Sequence, residues 1–204
     1  MATTPPINIR YRQSGKEELQ LILDLQRQNL PKSITEKEAR EQGFVTVEHD
    51  IQLLTEMNEP HGHTIAMAAG IDGGEDGQHV ELAGYALTMT KEFRNRLPQT
   101  LGSFFDLVEK LEWDGKPIGL NNLPFVVMGQ VCVAKKFRGR YGVFSGLYKE
   151  MARRLSSSGY SVILTAISSK NTRSLRAHKK VGFVEIHISD DDPDHKWVIV
   201  GLGI

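Results

Sequence analysis

The chain is short of cysteine, of net charge and of long apolar runs. Its one cysteine among 204 residues is Cys132, which excludes an intramolecular disulfide and a cysteine metal cluster and fits a reducing cytoplasm. Lys plus Arg equals Asp plus Glu at 25 each, so no global field draws the protein to nucleic acid or to an anionic membrane, and any anion site must be local. No stretch approaches the roughly 18 consecutive apolar residues of a membrane span. Met1 to Asn8 has no basic segment followed by an apolar one, so neither secretion nor insertion is expected. Phosphate-binding fingerprints are missing too: neither Gly-x4-Gly-Lys-Ser/Thr nor Gly-x-Gly-x-x-Gly occurs, and the glycine-rich Asp72 to Gly77 has no phosphate-site pattern.

Hydrophobic residues at 40% and charged residues at 25% are ordinary for a folded chain, and 204 residues fit one domain. Ile7 to Arg12 reads as an edge strand. A helix follows from about Lys16 to Asn29, carrying Leu19, Ile22, Leu23 and Leu25, and Pro31 stops it. Glu36 to Gln42 reads as a short polar helix, whereas Gly43 to Asp50 matches no pattern. Thr64 to Ile71 and Val80 to Thr90 form an expected hairpin with Gly84 as its bulge. Phe104, Leu107, Val108 and Leu111 share a helical face, and a turn-rich stretch follows. Pro124 to Val133 reads as a strand covered on both faces. Phe144, Leu147, Tyr148, Met151 and Leu155 recur at helical spacing from Gly142. Ser161 to Ile167 is a strand, Asn171 to Lys180 a helix, and Val184 to Ile188 and Trp197 to Val200 are strands. Interleaved strands and helices make the class α/β or α+β.

The strongest chemical signal is a core strand, then the basic, glycine-containing Lys135 to Gly142, then an amphipathic helix. Backbone N–H groups at a helix start point at an anion, glycines let that backbone come close, and arginines add charge-assisted hydrogen bonds. A second segment runs from Asn171 to Phe183, where Asn171, Ser174, Leu175 and His178 lie on one helical face.

These two segments resemble the GNAT superfamily of acetyl-CoA-dependent N-acetyltransferases, whose pyrophosphate loop reads Arg/Gln-x-x-Gly-x-Gly/Ala. Counted from Arg138, the expected central glycine is Tyr141 and Gly142 arrives one residue late. Either the loop holds an extra residue or Tyr141 replaces the glycine. The second segment is similar to the family's Asn-x-x-Ala-x-x-x-Tyr-x-x-x-Gly-Phe helix and turn, with Asn171 through Phe183 at the retained spacing.

The resemblance implies one GNAT-like domain over residues 1–204 with its cofactor core at about 124–183. It implies a mostly antiparallel sheet of about six to seven strands flanked by helices and splayed at the acetyl-CoA-binding strand. It implies that Val131, Cys132 and Val133 pair through their backbone with pantetheine, and that Arg138, Gly139, Arg140, Tyr141, Gly142 and Val143 hold the pyrophosphate. Asn171 would contact the pantetheine arm or serve only as a helix cap. His178, where the family has tyrosine, would protonate the leaving thiolate or only line the pocket. The function implied is acetyl transfer from acetyl-CoA to an amine through a tetrahedral intermediate. The alternative is an acyl-CoA-binding sensor without turnover, suggested by the exchange of tyrosine for His178 and by a strand without a carboxylate.

Other residues carry less. Gln130 could orient water, and Glu48, His49 and Glu81 are remote candidates for a base. Cys132, in an apolar strand, reads as core and not as a nucleophile. Asp190 to Asp194 lacks the spacing of a calcium loop, and His61-Gly62-His63 lacks a third ligand, so no metal is expected. The expected partner is a small-molecule or peptide amine, with a homodimer left open and neither nucleic acid nor membrane involved.

Overall fold

A computed structural model describes residues 7–70, 80–96, 99–119, 121–189 and 196–204. The runs Asp72 to Gly77 and Asp190 to Asp194 and most of Met1 to Asn8 lie outside the described residues. The elements are β1 (Asn8–Gln13), α1 (Leu19–Arg27), α2 (Glu36–Gln42), α3 (Ile51–Met57), β2 (Thr64–Ala69) and β3 (Val80–Met89). There follow α4 (Gln99–Val108), β4 (Glu112–Trp113), β5 (Lys116–Pro117), β6 (Phe125–Val133), α5 (Val143–Ser157), β7 (Val162–Ser168), α6 (Thr172–Val181), β8 (Val184–Ser189) and β9 (Trp197–Gly203). Seven strands follow the order β1-β2-β3-β6-β7-β9-β8, with β1 and β8 at the edges, and β4 and β5 make a separate hairpin. The pairing is antiparallel at β1–β2, β2–β3, β7–β9 and β8–β9 and parallel at β6–β7. This is the mixed, mostly antiparallel sheet with flanking helices that the resemblance implies. Among the described residues no helix is long and apolar enough to cross a membrane.

The chain divides into two compact units. The first comprises residues 1–34, 44–87 and 130–151, and its core gathers Leu19, Ile22, Leu23 and Leu25 of α1 with Leu54, Ile65, Met67, Tyr85, Leu87 and Cys132. That α1 stripe is the one its 3.6-residue spacing dictates. The β2–β3 ladder pairs Ala66 with Gly84 but Met67 with Leu82, so β3 bulges by one residue at Ala83. Gly84 is required there: a Cβ on it would stand 2.7 Å from the Cys132 carbonyl oxygen. The bulge also turns the Ala83 carbonyl toward the Ala134 N–H, 2.9 Å away.

The helix α3 has no counterpart in the sequence reading. Asp50 caps it by accepting from the Leu53 N–H at 2.8 Å, and Leu54 and Met57 bury its inner face. Ahead of it, residues 43–50 form no regular element, yet Val45 and His49 are buried while Thr46, Glu48 and Asp50 are exposed. This is the period of a strand, with its backbone groups taken by the Asn29 carbonyl and by the side chains of Gln26 and Gln130 instead of a neighbouring strand.

The second unit comprises residues 35–43, 88–129 and 152–204. Its buried residues include Phe105 of α4, Phe125 and Val126 of β6, Ile163 and Leu164 of β7, and Ile199 and Val200 of β9. Phe105 and Phe125 pack with ring centroids 6.1 Å apart. Asp114 and Gly115, with φ of 50° and 71°, make the two-residue turn between β4 and β5.

Candidate functional site

In the first unit, β6 runs into a single 3-10 turn, Lys135–Phe137, before the loop to α5. Phe137 is buried and pins the turn, and the Arg140 N–H returns to the Phe137 carbonyl at 3.2 Å. Gly139, Tyr141 and Gly142 then adopt φ of 69°, 55° and 65°. Tyr141 thus holds the left-handed conformation that a glycine adopts at lower cost, by about 1–2 kcal/mol. Its ring rests edge-on against Phe137, with centroids 6.1 Å apart. The first bond of α5 runs from the Gly146 N–H to the Gly142 carbonyl at 2.8 Å. The N–H groups of Tyr141, Gly142, Val143 and Ser145 find no acceptor among the described residues. Such a run of unfilled donors ahead of a 15-residue helix is able to accept an anion.

The two loop arginines differ. The Arg138 guanidinium donates to the Val133 carbonyl at 2.8 Å and to the Asn29 side-chain oxygen. Asn29 in turn donates to the Leu25 carbonyl at 2.7 Å and accepts from the Val45 N–H at 3.1 Å. Arg138 therefore staples the end of β6 to the end of α1. It also lies beside Cys132, but burial outweighs its charge and pushes the thiol up to about 11, which removes that sulfur as a nucleophile at neutral pH. Lys136 pairs with Glu81. Arg140 is exposed and has no protein partner among the described residues. Arg138→Ala should therefore lower stability by about 1–3 kcal/mol through its orphaned acceptors. Arg140→Ala should leave the melting temperature unchanged and weaken coenzyme A more than dephosphorylated pantetheine. Urea unfolding and calorimetric titration of both ligands check the pair.

The β6 residues Val131, Cys132 and Val133 are partly buried, buried and partly buried. The Cys132 carbonyl faces Gly84, and the Val133 carbonyl is taken by Arg138. In the second unit the β6–β7 ladder runs only from Phe125↔Val162 to Val127↔Leu164, while β7 stays paired with β9 through Ser168↔Trp197. Met128, the next residue of β6, therefore lies beyond that ladder.

Also in the second unit, Asn171 caps α6: its side-chain oxygen accepts from the Ser174 N–H at 3.0 Å. A Cβ added at Gly43 would stand 3.6 Å from the Asn171 amide, and Arg173 donates to the Glu41 carbonyl at 2.8 Å, so the end of α2 lies against the start of α6. His178 is 1% exposed. Its Nδ1–H donates to the Ser174 carbonyl at 2.8 Å, and its ring meets Phe183 edge to face at 5.0 Å. Burial pushes its pKa down to about 4, against the smaller pull of that carbonyl. The ring is neutral at pH 7, which supports a structural role for His178 over proton donation.

Of the three remote base candidates, Glu48 is paired with Lys32 at 2.6 Å and Glu81 with Lys136. His49 alone of the three is buried. It belongs to a polar cluster inside the first unit. Gln26 brackets its backbone, donating to the His49 carbonyl and accepting from the His49 N–H, each at 3.2 Å. Tyr85 donates to the Gln130 side-chain oxygen at 2.5 Å, and Gln130 donates to the Val47 carbonyl at 2.8 Å. Gln130 is thus engaged by protein on both ends of its amide. Gln26 and Tyr85 were not singled out from sequence. The one available signal was a glutamine directly after Leu25 on the apolar face of α1.

Comparison with solved structures places the fold. The chain is similar to the ribosomal-protein-S18-alanine N-acetyltransferase of Escherichia coli, with a TM-score of 0.57 and 10% identity over 97% of this chain and 94% of that one. It is similar to yncA of Salmonella typhimurium, solved with its cofactor acetyl-CoA, with a TM-score of 0.55 and 14% identity over 96% and 93%. It is similar to an acetyltransferase of the GNAT family from Streptococcus pneumoniae, with a TM-score of 0.55 and 13% identity over 97% and 99%. No curated protein matches the chain. The fold is that of the GNAT acetyltransferases. Residues 119–190 match the family described as FR47-like protein, and that stretch takes in both Phe137 to Val143 and Asn171 to Phe183. That match covers 72 of the 204 residues and agrees with the GNAT-like fold.

Proposed function

We propose that the protein is an acetyl-CoA-dependent N-acetyltransferase. The observation that carries this reading is the loop ahead of α5, where the N–H groups of Tyr141, Gly142, Val143 and Ser145 are unfilled and Arg140 is exposed beside them. An anionic diphosphate satisfies such donors, and the bare helix terminus favours its charge. The yncA structure contains acetyl-CoA, and the same ligand is the proposed donor here. Val131, Cys132 and Val133 are the proposed backbone contacts of pantetheine, and the Asn171 amide nitrogen, left over from its capping role, is a further proposed donor to it.

In the reaction, the amine nitrogen attacks the thioester carbonyl, the C–S bond breaks, and sulfur leaves with its electron pair. The amine gives up one proton and the thiolate takes up one, so the overall balance needs no acidic side chain. This fits a neutral His178. The test is release of coenzyme A thiol from acetyl-CoA in the presence of a panel of amines. Thiol release with at least one amine, together with an acetylated product, is expected. Tight acetyl-CoA binding with no release for any amine would replace the enzyme by a sensor.

A further inference from the structure

The polar cluster of the first unit contains an atom that its own residues leave unserved. His49 is 4% exposed, and its Nε2 is buried without a hydrogen-bond partner. Its protonation follows from its neighbours. Gln26 pairs with both backbone groups of His49, which fixes the amide with its oxygen toward His49. That oxygen is 3.1 Å from Nδ1, so Nδ1 carries the hydrogen and Nε2 presents a bare lone pair. Burial lowers the His49 pKa, with the Asp50 carboxylate and the Val47 carbonyl acting the other way, so the lone pair persists at neutral pH. A buried acceptor without a donor is uncommon in a native fold, so Nε2 calls for a donor that the protein does not itself supply.

The surroundings limit what that group is. The members Gln26, Tyr85, Gln130 and His49 carry no formal charge, and Asp50, the carboxylate that acts on His49, is exposed, as is Glu48. An ammonium brought here would lose its water for only a solvent-screened counter-charge, whereas a neutral N–H donor matches the site. Tyr85 and Gln130 reach the same segment through the Val47 carbonyl, two residues before His49, so the segment carrying the ring is held from two sides.

We infer that the His49 Nε2 is the contact for the acceptor amine, which donates an N–H to it in its neutral form and keeps its own lone pair for attack. This rests on the proposed N-acetyltransferase reading. The experiment uses the full chain labelled with 15N-histidine and four probes: spermidine, glycinamide, lysine methyl ester and tetra-alanine with a free α-amine. At least one probe should shift the Nε2 resonance of His49. For any probe that supports thiol release, His49→Phe should raise the amine KM at least tenfold while leaving the acetyl-CoA thermal shift unchanged, and His49→Gln, which restores an acceptor, should recover part of the loss. Unchanged amine kinetics in His49→Phe would overturn the assignment and leave the transferase standing. A shifted Nε2 resonance without thiol release would keep the amine contact and remove the transferase. Should His49→Phe not fold, Tyr85→Phe takes its place, with a raised amine KM expected and an unchanged one counting against the cluster. No shift with any probe overturns the inference outright.

Discussion

Lowering the pH from 7 to 5 should cost the fold about 2 kcal/mol through His178 alone. Its pKa is about 4 in the folded protein against an ordinary 6.5, so the unfolded chain binds a proton in this window that the native state refuses. Stability from this residue is complete above pH 6.5, falls as pH drops from there toward 4, and changes no further below. His49, also pushed down by burial, acts in the same direction. Glu18 acts lower, because Arg12 holds its carboxyl below the usual range and its contribution disappears only as pH falls through that depressed value. Urea unfolding of the parent and of His178→Phe at pH 7 and pH 5 separates these terms. The variant should be less stable at pH 7 by about 1 kcal/mol, from the lost bond to the Ser174 carbonyl, and should lose much less than the parent on acidification. An equal pH loss in both proteins would contradict the buried, neutral ring. Turnover of the variant should stay within a few-fold of the parent, whereas a drop of roughly 10²-fold restored by His178→Tyr would make this position the proton donor after all.

The other large effect belongs to the loop. Gly142 has a φ of 65° directly before α5, and a β-branched residue there must either pay a strain of about 1–3 kcal/mol or move the backbone whose N–H groups are to meet the diphosphate. Each charge-assisted bond lost is worth about 1.5–3 kcal/mol, so Gly142→Val should weaken acetyl-CoA by about 10- to 100-fold. Tyr141→Gly is the matched control. It relieves the left-handed tyrosine but gives the unfolded chain more freedom, and the two effects nearly cancel. Its acetyl-CoA affinity should stay close to that of the parent. Calorimetric titration of the three proteins decides, and equal affinity in Gly142→Val would move the diphosphate away from this loop.

What the sequence made legible followed from long patterns. The stripe from Phe144 to Leu155 became α5, the apolar run before Val133 became β6, and Gly84 fell at the bulge because a backbone carbonyl, and not a side chain, occupies its Cβ position. Two turns of helix are too short for periodicity to register, so Ile51–Met57 went unread although Asp50 stands as its cap. Side-chain commitments were illegible for another reason. Arg138 has the place of a phosphate ligand in the loop, and no spacing announces that its guanidinium also reaches Asn29, 109 residues away in the chain. The neutrality of His178 likewise comes from its burial, which no sequence motif states. Asn171 proved readable as a cap because capping is local. The cluster joining Gln26, His49, Tyr85 and Gln130 is assembled from four separate segments, and no spacing announces it.

Direct titration of acetyl-CoA into the parent protein, followed by calorimetry and by thermal unfolding, bears most closely on the central proposal. One saturable site is expected, with the native state stabilised by about 2.7 kcal/mol at 100 times the dissociation constant. The absence of both heat and thermal shift at millimolar acetyl-CoA would contradict it.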